Sequence, residues 1–335
     1  MAHLLPINPA RRLTLPRFLR LAILAIGLAT VLPGCSDDDD MVTAPASPEF
    51  LTVRQAALHP EGIQWDEANK RFIVSSRTQG RIGTVKDDST YTQLADDARL
   101  VSTIGLHLDA SRNRLLAAVS DAGGNATRTS AATLRKLAAL AIFNASTGSL
   151  TSYIDLGALR PGVNHFANDI AVDAQGNAYI TDSFAPIIYK VDLQGTASVF
   201  LEDPQLSGGT GFGLNGLVFH PDGYLIVAKA NDGTLFKVPL ATPKTFTRVT
   251  TTQSLVGADG LLLLNPQTLL LVSGSQTTVF RLTSTDGWAS TTASGSFATG
   301  PVSPTTITRR SDADAYVLYP YQATSPRFAI TKAKF

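Results

Sequence analysis

From residue 61 onward one pattern returns six times: an opening residue, usually polar, then an apolar run, a turn and a second apolar run. The copies are EGIQWDEANKRFIVSS from Glu61, IGLHLDASRNRLLAAVSD from Ile104, NDIAVDAQGNAYITDS from Asn168, NGLVFHPDGYLIVAKA from Asn215, DGLLLLNPQTLLLVSG from Asp259 and TTITRRSDADAYVLYP from Thr305. Four of the five intervals lie between 43 and 47 residues, and the interval from Ile104 to Asn168 is longer by an insertion. Each copy is followed by a third strand, such as PIIYKVDL, GTLFKVPL or TTVFRLTS, and usually by a more polar fourth, such as ASVFLED or FTRVTTT. Short apolar runs bounded by turn residues read as strands. Four strands in a repeat of roughly 40–50 residues predict a β-propeller blade. The fold expected is therefore all-β, a six-bladed β-propeller.

The two ends of the repeat region fit closure of the disc. The last copy stops after its third strand at Phe335, while FLTVRQA from Phe50 precedes the first copy with no local partner. This early strand is expected to complete the sixth blade and to cover an edge that would otherwise stay unpaired. An open β-sandwich does not account for six matching registers.

Within the fourth copy, Gly211-Phe212-Gly213-Leu214-Asn215-Gly216 satisfies G-x-G-x-x-G. A dinucleotide fingerprint follows a strand and opens a helix whose N-terminal amides receive the pyrophosphate. Here LVFHPDGYLIVAKA follows, with Pro-Asp-Gly between two apolar runs, so the downstream element is a hairpin. The match is read as accidental. The 28 Lys+Arg nearly balance the 27 Asp+Glu, which gives no electrostatic case for nucleic acid.

Residues 1–34 have the organisation of an export signal: Arg11, Arg12, Arg17 and Arg20, then the apolar run LAILAIGLATVL from Leu21 to Leu32. That run falls short of the about 20 residues that span a bilayer. Cys35, the only cysteine, ends LPGC, which resembles a bacterial lipobox, although Pro33 replaces the small residue usual there. Cleavage before Cys35, lipidation of its thiol and a flexible tether over residues 35–49 are expected, with the propeller in 50–335. Asp37 to Asp40 then belong to the tether and are not read as a metal site. The protein would be lipid-anchored on the bacterial cell envelope, contacting the membrane through Cys35, and monomeric. Its domain would hold no thiol for a disulfide or a thiolate metal site.

The inner strand of each blade lines the central channel, so the opening residues of the six copies should converge at one end of the axis. They are Glu61, Ile104, Asn168, Asn215, Asp259 and Thr305. Two carboxylates and two amide oxygens form a hard, oxygen-only donor set, which suits Ca²⁺ with water or substrate at the open positions. Zinc is disfavoured, because no His/Cys set occupies this register. A purely structural alternative has Asn and Asp capping the turns that lead into the inner strands.

The motifs EGIQWD, NDIAVDAQGNAYITDS, LNGLVFHPDGYLIVA and ADGLLLL resemble the gluconolactonase/regucalcin (senescence-marker-protein) family and, more distantly, diisopropyl fluorophosphatase and paraoxonase. The resemblance spans essentially the whole repeat region. It implies an axial calcium held by a Glu of the first blade, Asn residues of middle blades and an Asp of a later one, at Glu61, Asn168, Asn215 and Asp259. It also implies hydrolysis of a lactone or ester, with Asp259 as general base or nucleophile. Apolar Ile104 departs from the polar residue that a relative places in the second blade, which puts a sugar-lactone specificity in doubt.

Among the histidines, His165 lies three residues before Asn168 on the expected metal side and is a candidate proton shuttle, with a plain loop residue as the alternative. His59 should lie on the same side, His220 at the far face, and alternation turns His107 toward a neighbouring blade. The insertion Gly123 to Ala138 falls between the second and third strands of blade two. It is either a lid whose Arg128, Arg135 and Lys136 face an anionic substrate or a tolerated surface loop. Three functions remain in view: a calcium-dependent lactonase or esterase acting on a small molecule, a phosphotriesterase-like hydrolase using the same site, and a non-catalytic propeller that binds a protein or glycan.

Overall fold

A computed structural model describes residues 47–335. The signal segment, Cys35 and residues up to 46 of the tether lie outside the described residues. Six antiparallel four-stranded units follow one another, as the repeat predicts. The innermost strands are Ile63–Asp66, Ser102–Asp109, Ala167–Val172, Leu214–His220, Ala258–Asn265 and Ile307–Arg309, for blades 1 to 6. Each inner strand packs against the next, and the sixth packs against the first, so the ring closes.

Six apolar clusters fill the wedges between blades, one at each interface. The second strand of every blade supplies much of them. Its run of Ile, Leu and Val is buried on both faces, which is why these strands read as continuous apolar runs rather than as alternation. The wedge between blades 6 and 1 is the most aromatic, with Trp65 4.7 Å from Phe72 and Phe72 5.1 Å from Tyr316.

That wedge carries the closure. Phe50–Val53 pairs antiparallel with Phe328–Lys332 and becomes the outer strand of blade 6. Across the seam the Arg310 guanidinium lies 4.3 Å from the Trp65 ring centre and donates to both Asp87 carboxylate oxygens, at 2.6 and 2.7 Å. A bidentate pair fixes orientation as well as distance. Elsewhere on the ring the outer strands of blades 4 and 5 meet through a short parallel bridge, Thr250↔Ser290 and Thr251↔Thr291, which covers part of two further edges.

Because each blade runs inward-to-outward as a meander, the fourth-to-first and second-to-third connections share one end of the disc. The first-to-second turns lie at the other. Leu51, 1% exposed, should be essential to closure whereas half-exposed Leu193 should not. Leu51→Ala is expected to cost roughly 2–5 kcal/mol in denaturant unfolding, and Leu193→Ala less than about 0.5 kcal/mol.

Candidate metal centre

A cavity of about 320 Å³ follows the axis, and its wall includes Glu61, Asn168, Asn215 and Asp259, brought together from blades 1, 3, 4 and 5. Local backbone geometry puts them there. In blades 3, 4 and 5 the inner strand breaks register between Ala167 and Ile170, between Leu214 and Leu217 and between Ala258 and Leu261. Each bulge therefore contains the predicted residue and the one after it. A bulge re-aims side chains that simple alternation would send elsewhere.

Hydroxyls from the second strands and the connections after them hold these bulges. The Thr181 hydroxyl accepts from the Asp169 amide and donates to the Asn215 carbonyl, at 3.1 and 2.7 Å. Ser75 Oγ accepts from the Gly62 amide at 2.7 Å. The Asn168 side chain donates through Nδ2 to Ser183 Oγ at 2.8 Å, which occupies its amino group and leaves Oδ1 as the free acceptor.

The residue after each opening position is set by crowding on the axis. A methyl group at Gly62, Gly105 or Gly216 would lie 2.4, 2.4 or 2.2 Å from a carbonyl oxygen of the neighbouring inner strand. Blade 3 departs from this rule with Asp169, whose carboxylate enters the channel wall. Sequence reasoning missed Asp169 because it examined only the first residue of each copy. The signal was visible at the second: four glycines, one threonine and one aspartate.

The site is short of positive charge. Burial raises the Asp259 carboxyl well above the ordinary value, and Glu61 and Asp169 raise it further, while Arg77 and the Asn215 amide oppose the rise. Burial likewise raises Glu61 against the opposing pull of Arg77, whose Nη1 lies 3.3 Å from Glu61 Oε2. Asp169 is pushed up to about 7 by burial, despite its contacts with the Ile170 and Leu217 amides. A cation placed beside such carboxyls would favour their charged forms and lower them again. Among the described residues no three His, Cys, Asp or Glu side chains group as metal ligands, so a cation here would draw on the amide oxygens as well. The donors suit a hard divalent ion.

Other expected positions differ. Ile104 and Thr305 do not line the cavity: Ile104 packs in the apolar wedge between blades 2 and 3, and the Thr305 hydroxyl donates to the Glu61 carbonyl at 3.1 Å. His107 reaches the Ile170 backbone of the next blade, as alternation anticipates, but its ring also forms part of the channel wall. Burial lowers it to about 4, so it stands there neutral. His220 sits at the far face, where Nε2 lies 2.9 Å from the Pro266 carbonyl.

His165 needs correction as a proton shuttle. It lies on the predicted side but is only 2% exposed and does not line the cavity. Its Nδ1 is 2.7 Å from Asp182 Oδ2 and its Nε2 is 2.9 Å from the Arg160 carbonyl. Burial works against its charged form, yet Asp182 and the Arg160 carbonyl outweigh that and hold its pKa above the ordinary value. Both nitrogens are thus committed to structure. His59 is half-buried near Arg77 and lowered to about 4 by burial and that charge.

The insertion of blade 2 is fastened down. The Asp121 carboxylate accepts from the Thr129 and Thr133 hydroxyls, each at 2.7 Å, and the Asn125 side chain donates to the Val101 carbonyl at 2.6 Å. Arg128 donates to Asp96 at 2.7 Å and to the Asp97 and Leu100 carbonyls, so it presents no free charge. Arg135 and Lys136 remain exposed.

The chain matches no protein-family model and no curated protein. Solved structures with the same fold include the major allergen Mala s 1 of Malassezia sympodialis, at 18% identity and TM-score 0.70, covering 86% of this chain and 97% of that one. A gluconolactonase from Xanthomonas campestris is 19% identical at TM-score 0.59, covering 85% and 89%. A luciferin-regenerating enzyme is 11% identical at TM-score 0.59, covering 85% and 95%. At these identities the likeness shows the β-propeller fold.

One titration is expected to follow from Asp169. Folded Asp169 holds its proton to about pH 7, whereas the unfolded carboxyl releases it near the ordinary aspartate value of 3.8. The wild type therefore loses this contribution to stability as pH rises across that window, and an amide does not. With chelator present, the stability of Asp169→Asn relative to wild type should increase from about pH 4 to 7 and then level off. Denaturant unfolding at pH 4, 5.5 and 7.5 measures it, and a difference independent of pH would contradict the assignment.

Proposed function

We propose that the protein is a calcium-dependent hydrolase of lactones or other esters, working at the acidic end of the axial channel. The observation that carries this reading is the convergence of Glu61, Asp169 and Asp259 with the Asn168 and Asn215 amides in one cavity, with Arg77 beside Glu61 as the partial counter-charge. Glu61, Asn168, Asn215 and Asp259 would hold the ion through oxygen. A bound divalent cation supplies electrophilic polarisation of a carbonyl oxygen and a place for water beside it. The gluconolactonase among the structures of the same fold supports choosing ester chemistry.

The chain's own groups divide the remaining work. Asp259, ionised if a cation compensates the nearby charge, would take the proton of the attacking water as the ester C–O bond breaks and the alcohol leaves with a proton; acting as nucleophile instead, it would displace the alcohol to form an acyl-Asp anhydride that water then hydrolyses. Neutral His107 borders the reacting space and offers a polar contact without adding charge. The leucines lining the lower part of the channel, Leu261, Leu262 and Leu263, restrict water below the acidic end. Localisation is part of the same proposal: a lipid at Cys35 would hold the domain on the bacterial envelope.

The test is a panel of lactones, aryl esters and phosphotriesters, assayed after chelation and again with Ca²⁺ restored. Ester or lactone hydrolysis should vanish with chelator and return with calcium, and Asp259→Asn should lower kcat/KM by roughly 10²–10⁴-fold. Activity confined to phosphotriesters would move the substrate class, and activity indifferent to both chelator and Asp259→Asn would refute the reading. His165→Gln should instead act on stability, by about 1–3 kcal/mol, because it breaks a buried hydrogen-bonded pair.

A further inference from the structure

Seven large apolar side chains stand out as exposed among the described residues, three at one end of the disc and four at the other. Phe50, Leu193 and Phe335 lie at the far end, in the first residue of the closing strand, a third-to-fourth turn and the C-terminus. The other four, Leu134, Val163, Phe212 and Val256, are 38–49% exposed and all sit in connections at the acidic end of the channel. Of these four, Phe212 is the one that packs against other aromatic rings.

Phe212 rests on two further phenylalanines, half-buried Phe184 and fully buried Phe166. Phe166, Phe184 and Phe212 stand with ring centres 5.0–5.3 Å apart, a mutual packing suited to aromatic side chains. Phe166 comes two residues before Asn168, Phe212 three before Asn215, and Phe184 directly after Ser183, which bonds the Asn168 amide. The rings therefore stand on the same short connections that position two of the channel's amides. The glycines of the accidental nucleotide motif have a use here: Gly208 is pressed so closely on Gly213 that neither could carry a Cβ, and this tight neck displays Phe212 at the tip of its loop.

The Arg135 guanidinium closes one side, 4.2 Å from the centre of the Phe184 ring. Its backbone is held in the left-handed region, φ 57°, by hydrogen bonds from its amide to Asp121 and to its carbonyl from His165, both 2.8 Å. A non-glycine residue kept in that conformation costs free energy, and such strain collects where a side chain must be aimed.

We infer that these loops form an apolar shelf for the acyl or alcohol group of the substrate, so that the site takes aryl and medium-chain alkyl esters or lactones in preference to polyhydroxylated ones. The inference rests on the hydrolase reading above. A sugar needs a hydrogen-bonding partner for each hydroxyl it loses from water. The shelf stands beside the cavity wall rather than in it, and offers Phe212, the exposed part of Phe184 and one cation already stacked on a ring.

The experiment is a series of p-nitrophenyl esters from acetate through butyrate to hexanoate, run beside a sugar lactone on calcium-loaded full chain. kcat/KM should rise about threefold for each added methylene, the factor expected for partial burial of a CH₂. Phe212→Ser and Phe184→Ser should flatten the series, Phe212→Leu should keep most of it, and Ca²⁺ affinity should be unchanged in all three. Phe212 is 38% exposed and packs on Phe166 and Phe184, so Phe212→Ser should lower the melting temperature modestly; unchanged Ca²⁺ affinity and the activity kept by Phe212→Leu separate loss of the shelf from loss of fold. Hydrolysis of acetate, hexanoate and sugar lactone with equal efficiency, unaffected by the variants, would overturn the shelf and leave the hydrolase reading standing. Hydrolysis of none of them would overturn both.

Discussion

At four of six positions the inner strands approach one another on a common axis more closely than ordinary side chains allow, and much of the site follows from that crowding. Where two strands pass within reach of each other's carbonyls, only a residue without a side chain fits, hence Gly62, Gly105 and Gly216. The chain relieves the same pressure with bulges, and in blades 3, 4 and 5 each bulge holds an Asn or Asp. Packing geometry thus delivers polar side chains to the axis while the apolar wedges between blades hold the disc rigid. A site set on strand ends within a closed ring needs little reorganisation to bind an ion or a substrate.

The cost of this arrangement is electrostatic. Glu61, Asp169 and Asp259 are brought into one buried volume, and their mutual repulsion adds to the burial that already opposes ionisation. Arg77 offsets part of that charge from the rim, at Glu61. Charges removed from water persist only when paired or neutralised. An oxygen-bound cation satisfies that requirement and leaves coordination positions for chemistry.

The blade count, the closing strand and four of the channel residues were legible in the sequence because each repeats in register. A pattern that recurs six times reports a symmetric environment, and symmetry is what single-position reasoning can exploit. Asp169 escaped because its meaning lies in the exception at the next register position, where crowding demands glycine elsewhere. Ile104 sits in the same kind of bulge, but its apolar side chain packs into the wedge between blades 2 and 3, and Thr305 commits its hydroxyl to the Glu61 carbonyl, so neither lines the channel. His165 was assigned to the right end of the disc but not to its burial: Arg160 and Asp182 are near in sequence, yet which polar groups of a connection turn inward is set only once it folds. The local bonds from Thr129 and Thr133 to Asp121 depend on the folded insertion in the same way.

Whether the acidic end of the channel is a cation site is the point on which the account turns. Calorimetric titration of chelator-treated protein with Ca²⁺, together with the melting temperature before and after, tests it without reference to any substrate. The account predicts one site per chain and a melting temperature that rises with calcium, both lost in Asp259→Asn. Absence of binding heat and of any thermal shift at millimolar Ca²⁺, or binding that survives Asp259→Asn undiminished, would contradict it.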